Sequence, residues 1–226
     1  MNDFEFANEK CSGLPSIFIA QPNLGEISTN NVARLLRWFG CERYNLEWFA
    51  PPGVIPHDRA RNLCHREFIE NSDADYIFWL DANTIPPARA LDRLLYHDRD
   101  VVACCVQTQK SQDDGSIKLV PLGFRKSFTS EGYAAVVSTG LTQVHIASCA
   151  ATLIKREVME GVGPRAFSWG DVSDEWGVEG LSEDFYFCER VIEAGYEIWM
   201  DYDLLCRHWQ RSDMLIINQM LHRASR

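Results

Sequence analysis

The sequence lacks the segments that would place the chain in a membrane or send it for secretion. Its longest apolar runs are about five residues, whereas a membrane-spanning helix needs roughly 20. The first residues, MNDFEFANEKCSGLPS, carry acidic side chains and no apolar run, so they do not resemble a signal peptide. We therefore expect a cytoplasmic protein without a membrane anchor.

The chain also lacks a disulfide pattern and an excess of positive charge. Its eight cysteines are scattered and form no C-x-x-C pair, which favours buried, reduced thiols over a disulfide framework or a zinc knuckle. With 22 basic and 32 acidic residues, the formal net charge is −10, which argues against a surface that coats nucleic acid or an anionic membrane. A small anionic ligand in a local pocket remains compatible with this charge.

The first half of the sequence alternates between apolar strand patterns and amphipathic helix patterns. Such alternation is typical of βαβ units, and it predicts an α/β fold with a mixed, mostly parallel sheet flanked by helices. Strands are predicted at residues 16–23, 44–50, 75–80 and 100–107, and helices at residues 28–40, 57–72 and 87–98.

The pattern changes after residue 107. Without repeats or low-complexity segments, we expect one domain over residues 1–226, with a nucleotide-binding half at about 16–107 and a second half at about 108–210. The second half predicts loops and short antiparallel strands at 108–146, a strand turning into a helix at 147–162, a Gly-rich acidic loop at 169–180, a helix at 182–195 capped by Ser182, a strand at 196–201 and a tail helix at 211–226.

Polar side chains follow directly after the third predicted strand, in the segment YIFWLDANTIPP. Ligands of open α/β sheets bind beyond the carboxyl ends of the strands, and residues two apart in an extended segment face the same way. Asp81 and Asn83 could therefore converge on one Mg²⁺ or Mn²⁺ ion, which oxygen ligands suit. The alternative is that Asn83 caps the next helix and Asp81 is an ordinary strand-end residue.

Three further segments carry side chains suited to a binding site. Arg59 and Arg61 lie in the first turns of a predicted helix, where anions are favoured. Glu183 and Asp184 begin another helix, where they could equally serve only to complement the helix dipole. His208 follows the last predicted strand, although a lone histidine is more often an ordinary surface or core residue.

In their order along the chain, these segments resemble the GT-A glycosyltransferases, especially those close to family 2. The similarity rests on ARNLCHREFIENSDADYIFWLDANTIPP, SCAATLIKREVMEGVG and EGLSEDFYFCERVIEAGYEIWMDYDLLCRHW, and it covers about residues 16–210. The resemblance implies a single GT-A domain that moves a sugar from a UDP- or GDP-sugar donor to an acceptor hydroxyl, with Mn²⁺ or Mg²⁺ as cofactor.

The resemblance also implies roles for individual residues. Asp81-Ala82-Asn83 takes the place of the family's D-x-D metal motif, with Asn83 as an uncharged departure that could instead bind ribose or phosphate. Asp184 would be the general base of an inverting reaction, and Glu183 would bind the acceptor or the donor sugar. His208 would complete the metal shell, the nucleotide would contact Gln21, Pro22, Asn23, Arg61, Asp81 and Ala82, and Trp169 and Trp176 would close over the sugar unless they serve ordinary packing.

Two other functions stay open at this point. A nucleotidyltransferase that forms sugar nucleotides usually has a Gly-rich, basic loop after the first strand, whereas IAQPNLGEIS has one glycine and no Lys or Arg. A non-catalytic sugar- or partner-binding module would explain Asn83 as a lost metal ligand. The acceptor is undefined, since the basic segment from Leu204 to Arg226 would suit an anionic acceptor, even DNA, or could form a solvated terminal helix.

Overall fold

The computed structural model describes residues 6–7, 13–112, 114–127, 132–169 and 182–208. In this part of the chain, no helix has the length and apolar character that a membrane crossing requires. The predicted tail helix at 211–226 and most of the predicted loop at 169–180 lie outside the described residues. The helices are α1 (Thr29–Phe39), α2 (His57–Asn71), α3 (Ala90–His97), α4 (Arg156–Val162) and α5 (Glu183–Glu193).

The strands fall into one large sheet and three small ones. The two-stranded and three-stranded sheets come mainly from the region between residues 107 and 147, where short antiparallel strands are predicted. The strands are β1 (Phe6–Ala7), β2 (Ser16–Ala20), β3 (Asn45–Phe49), β4 (Tyr76–Leu80), β5 (Thr84–Ile85), β6 (Val101–Cys105), β7 (Gln107–Ser111), β8 (Ile117–Pro121), β9 (Gly123–Lys126), β10 (Tyr133–Ala135), β11 (Leu141–Val144), β12 (Ile146–Ala147), β13 (Ala151–Lys155), β14 (Ile198–Leu205) and β15 (Arg207–His208).

The large sheet has the strand order β1-β3-β2-β4-β13-β6-β14-β11. Strands β2, β3, β4, β6 and β14 run in one direction, and β1, β13 and β11 run against them. The predicted mixed, mostly parallel α/β sheet is therefore confirmed. Because β13 lies between β4 and β6, the two halves of the sequence share one sheet.

Both faces of this sheet are buried under helices. Strand β4 illustrates the two-residue period, since Ile77 and Trp79 join the core on one face while Phe78 and Leu80 join the core on the other. Its continuous apolar run is what a strand covered on both faces requires. Helices α2, α4 and α5 supply Cys64, Phe68, Val158, Met159, Phe187 and Val191 to the first core, and α1 and α3 supply Leu35, Trp38, Leu91 and Leu94 to the second.

The structure differs from the predicted elements mainly at their ends. Helix α3 begins at Ala90 rather than at Pro87, because Pro87 opens a turn whose carbonyl accepts the Ala90 N–H. Ser182 occupies the predicted cap position of α5, but its side chain makes no capping hydrogen bond. The last strand of the sheet, β14, starts two residues later and runs four residues further than the predicted 196–201.

One buried asparagine fixes the loop that follows β4. The Asn31 side chain on α1 is fully buried and donates hydrogen bonds to the carbonyl oxygens of Asp81, Ala82 and Thr84 at 3.0, 3.1 and 3.0 Å. The Asp81 N–H donates to the carbonyl of Ala150, at the start of β13, at 2.9 Å. The loop that carries Asp81 is therefore anchored both by helix α1 and by the neighbouring strand of the sheet.

We predict that Asn31→Ala lowers the free energy of unfolding by about 1–3 kcal/mol, because buried carbonyl oxygens lose their donor. Chemical denaturation measures this change. Asn30→Ala is the matched control, since Asn30 is exposed on the same helix and should change stability by less than about 0.5 kcal/mol. Equal losses in the two variants would contradict the anchoring role.

Candidate functional site

The candidate site is built around a buried arginine. Arg61, in the second turn of α2, is only 1% exposed. Its guanidinium lies over the rings of Trp79 and Phe167, with 5.5 and 5.7 Å from its central carbon to the ring centroids. Arginine tolerates such an environment because its planar cation stacks on aromatic faces.

Three carboxylates from distant parts of the sequence meet at this guanidinium. Asp81 Oδ1 and Asp184 Oδ1 lie 3.1 and 3.4 Å from the same atom, Arg61 Nη2, and Glu183 Oε1 lies 3.5 Å from Nε. Burial alone would lower the pKa of Arg61, but the negative charges of Asp81, Asp184 and Glu183 raise it above its ordinary value. The cluster therefore holds one fixed positive charge against three carboxyl groups.

The contacts in this cluster are close but poorly aligned. The Oδ1 atoms of Asp81 and Asp184, and Nε and Nη1 of Arg61, are buried without a hydrogen-bond partner. Buried polar atoms are normally hydrogen-bonded, so unsatisfied ones need an explanation. Spare hydrogen-bonding capacity on both sides of the ion pairs is what a site that receives a polar ligand would offer.

Asp184, in the first turn of α5, is hydrogen-bonded through one carboxylate oxygen only. Its Oδ2 accepts hydrogen bonds from the Ser148 hydroxyl at 3.1 Å and from the Cys149 N–H at 3.2 Å. Burial raises the pKa of Asp184; the Arg61 charge opposes this rise, and the charges of Glu183 and Asp81 reinforce it. A carboxylate with a raised pKa is a better proton acceptor than an ordinary one.

Glu183 precedes Asp184 directly but experiences the opposite shift. Although burial alone would raise its pKa, the hydrogen bond with His57 Nδ1, at 3.0 Å, and the charge of Arg61 lower the pKa of Glu183 to about 2. Glu183 therefore stays ionised where Asp184 gains affinity for a proton. Neighbouring carboxylates whose pKa values are pushed apart are suited to different roles in acid–base chemistry.

Asn83 and His208 lie next to one another at the same edge of the sheet. Strand β15 pairs with β5 so that His208 is opposite Thr84, and Asn83 Nδ2 lies 3.3 Å from His208 Nε2. His208 Nδ1 lies 3.0 Å from the carbonyl of Gln107, which can only accept, so Nδ1 is the donor in this contact and Nε2 faces the Asn83 amide. Histidine metal ligands are typically oriented in this way.

The donor set near Asp81 suits a cation only with help from a substrate. Among the residues that the structure describes, no group of three His, Cys, Asp or Glu side chains is arranged to hold a metal ion. Asp81 supplies one carboxylate, His208 a neutral nitrogen and Asn83 an amide oxygen. As donor types, a carboxylate, an imidazole and an amide oxygen suit a divalent cation that also takes oxygen ligands from a bound diphosphate.

The residues predicted to contact the nucleotide are mostly engaged in the protein itself. Asn23 is nearly buried; its amide nitrogen donates to the carbonyls of Gln21 and Pro51, and its oxygen accepts from the Gly25 N–H. Pro22 is buried as well. Gln21 is fully buried and accepts from Trp48 Nε1 at 3.1 Å, although its own amide nitrogen has no partner.

These contacts bear on two of the predicted roles. The Asn23 side chain is engaged by the loop that it holds, and its contact with a nucleotide stays a prediction. Arg61, being 1% exposed, faces the carboxylates rather than open space, which argues against direct contact with phosphate. Ala82 is partly exposed, and its carbonyl is bound by Asn31.

Of the two tryptophans predicted to cover a sugar, one lies in the part of the chain that the structure describes. Trp169 is 53% exposed at the end of a described segment, and Trp176 lies outside the described residues. An exposed indole is available for stacking on a sugar, whereas a packed one would not be. Their role in covering a sugar stays a prediction.

One residue that the sequence did not single out belongs near this site. Arg34 Nε and Nη1 on α1 are buried without a hydrogen-bond partner. Burial, followed by the nearby positive charges of Arg37 and Arg207, lowers the pKa of Arg34. The sequence shows that Arg34 and Arg37 are three residues apart. It does not show that α1 and β15 both contact β5, which is what brings Arg207 to this cluster. Guanidinium donors that lack a hydrogen-bond partner and lie beside other positive charges favour the binding of an anion.

Comparisons with known proteins bear on the fold. No protein-family model matches the chain, and no curated protein matches it. Among solved structures, the crystal structure of A197 from STIV is similar, with a TM-score of 0.58 and 17% sequence identity over 87% of this chain and 86% of A197. At this level of identity, the likeness shows a shared α/β fold.

We predict that Arg61→Met destabilises the protein by about 3–5 kcal/mol, because it leaves buried carboxylates without their counter-ion. Arg59→Met, an exposed position on the same helix, should cost less than about 0.5 kcal/mol. Denaturation of both variants measures the difference.

The loss of stability in Arg61→Met should depend on pH. The pKa of Glu183 is lowered from 4.5 to about 2, so its ion pairing stabilises the fold above pH 4.5 and this contribution is lost as the pH falls towards 2. The Arg61→Met penalty should therefore shrink across this range. A penalty that is independent of pH would contradict the charge-based explanation.

Proposed function

We propose that the protein is a glycosyltransferase of the GT-A type, which moves a sugar from a UDP- or GDP-sugar to an acceptor hydroxyl. The observation that carries this proposal is the meeting of Asp81 and Asp184 at one guanidinium nitrogen of Arg61. Asp81 lies at the carboxyl end of β4, where open α/β sheets bind ligands. The resemblance of the sequence motifs to this enzyme class, with the cytoplasm as the expected location, completes the argument.

Asp184 would act as the general base. The acceptor hydroxyl would give its proton to a carboxylate oxygen of Asp184 while its oxygen forms a bond to the anomeric carbon. The bond from that carbon to the diphosphate would break at the same time, and the nucleoside diphosphate would leave with the electron pair. Arg61 would retain Asp81 and Glu183 as partners while Asp184 holds the proton.

The leaving diphosphate needs positive charge beside it. Asp81, Asn83 and His208 would hold Mn²⁺ or Mg²⁺, which, when bound, neutralises charge on the phosphate oxygens. Arg34 is suited to assist, since its unsatisfied Nε and Nη1 donors lie in a cluster with Arg207, the residue before His208. Arginine in this role would add positive charge beside the diphosphate where a cation held by the neutral Asn83 binds less tightly.

We predict that Asp184→Asn reduces turnover by about 10²- to 10⁴-fold, the usual contribution of a general base. The measurement is release of UDP or GDP from a panel of nucleotide sugars with Mn²⁺. Stability should change little, since Asp81 and Glu183 remain as counter-ions of Arg61. Glu193→Gln is the matched control, because Glu193 is exposed on the same helix.

Two outcomes would separate the proposal from its alternatives. No release of nucleotide by the wild-type protein from any donor would favour a non-catalytic binding module. Formation of a sugar nucleotide from a nucleoside triphosphate and a sugar phosphate would favour a nucleotidyltransferase.

A further prediction concerns the cation. Asn83→Asp should tighten Mn²⁺ binding by about tenfold, since a charged ligand replaces a neutral one, and His208→Ala should weaken it by a similar factor. Paramagnetic broadening of nuclear magnetic resonance signals, recorded with UDP present, measures both dissociation constants. Unchanged affinity in both variants would assign Asn83 and His208 to loop structure instead.

A further inference from the structure

A large groove lies on the side of α2 that faces away from Arg61. Its volume is about 1020 Å³, and its walls come from α2, from α4 and from the segments 53–55 and 163–165. Binding pockets for small molecules typically have volumes of about 300–1,000 Å³. The residues that line this groove do not include Asp81, Asp184 or His208, so it is a second concave site.

The lining combines an apolar floor with cationic walls. Leu63 and Ile69 contribute apolar surface, and the fully buried Met159 lies beneath them. Arg59 and Arg66 stand seven residues apart on α2, which corresponds to about 10 Å along the helix axis. Two carboxylates, Glu70 and Glu160, also line the groove, but Glu160 is paired with Arg156 at 3.6 Å.

In the part of the chain that the structure describes, three arginines of this groove are without a salt-bridge partner. Arg59, Arg66 and Arg165 are exposed, and within the described ranges no carboxylate forms a salt bridge with any of their side chains. The chain as a whole carries a net charge of −10, so a groove with unpaired arginines differs in the sign of its charge from the protein overall. Guanidinium groups bind carboxylate and phosphate oxygens in a bidentate manner.

The backbone of Arg165 gives a second, independent indication. Its φ angle is +58°, a conformation that long side chains rarely adopt and that costs about 1–2 kcal/mol relative to glycine. Such strain persists where surrounding structure imposes it, and it occurs most often at ligand-binding sites. Here Arg165 lines the same groove as Arg59 and Arg66 of α2.

We propose that this groove binds a small organic oxyanion, with an apolar body on the Leu63–Ile69–Met159 floor and a phosphate or carboxylate group between Arg66 and Arg165. The size of the groove favours a small molecule over a macromolecular partner. The inference is independent of the proposed transferase activity, since it uses none of the residues assigned to that activity.

The test uses 1-naphthyl phosphate as a probe that carries both features. Titration of the full chain should shift the side-chain methyl signals of Leu63, Ile69 and Met159 in a saturable way. Inorganic phosphate, which lacks the body, and 2-naphthol, which lacks the anion, should each bind at least about tenfold more weakly. Added salt should weaken binding of the phosphate ester.

Two variants separate lost binding from lost folding. Arg66→Gln removes one cation, and Arg165→Gly removes the other while relieving the positive φ, so its melting temperature should stay unchanged or rise. Each should weaken 1-naphthyl phosphate binding by about tenfold, given the usual strength of charged hydrogen bonds. Arg89→Gln, at an exposed position before α3, is the control and should bind as the wild type does.

Three results would overturn the proposal. These are absence of shifts at the three floor residues, equal affinity for 2-naphthol, and wild-type affinity in both groove variants. Loss of affinity in Arg165→Gly with an intact or raised melting temperature would support it most directly.

Discussion

The burial of the Arg61 guanidinium is the constraint on which both the fold and the candidate site depend. A buried cation is tolerated only with close counter-charges, and Asp81, Glu183 and Asp184 supply them. These carboxylates in turn can crowd together only because Arg61 separates their charges. The ion cluster therefore ties α2, the end of β4 and the start of α5 to one another.

The ion cluster also gives two consecutive residues, Glu183 and Asp184, different electrostatic environments. Glu183 faces His57 and Nε of Arg61, while Asp184 turns towards the Ser148 hydroxyl, the Cys149 N–H and Nη2 of Arg61. The negative charge of Glu183 is thus well compensated by its neighbours, whereas that of the next residue, Asp184, is poorly compensated. The chemistry proposed for the site rests on that difference rather than on the presence of acids alone.

The sequence was most informative where local rules decide structure. Apolar runs and helix patterns located β2, β3, β4, α1, α2 and α5 to within a few residues, and the strand-end rule singled out Asp81 and Asn83. Contacts between distant segments were not accessible in this way. Nothing near Arg61 in the sequence indicates that its side chain points inward to Trp79 and Phe167 rather than outward to a ligand.

The same limit explains the other differences. The saturated amide of Asn23 depends on Pro51, 28 residues away, and the cluster that includes Arg34 depends on Arg207, which reaches it through β15 and β5. The prediction that Asn83 and His208 are neighbours came from family resemblance, not from any local pattern, and the structure brings their side chains to 3.3 Å. Long-range pairings of this kind follow from topology, which short motifs do not encode.

The position of β13 has a consequence for the order in which the sheet assembles during synthesis. Strands β4 and β6 are separated in the sheet by a strand that leaves the ribosome some 50 residues after β6. Until β13 inserts, each would be an open edge, and the Asp81 N–H would lack the Ala150 carbonyl that receives it. Residues 1–107 alone would therefore leave β4 and β6 without their shared neighbour, and the edge of the sheet that carries Asp81 is completed only when β13 from the later half of the chain inserts between them.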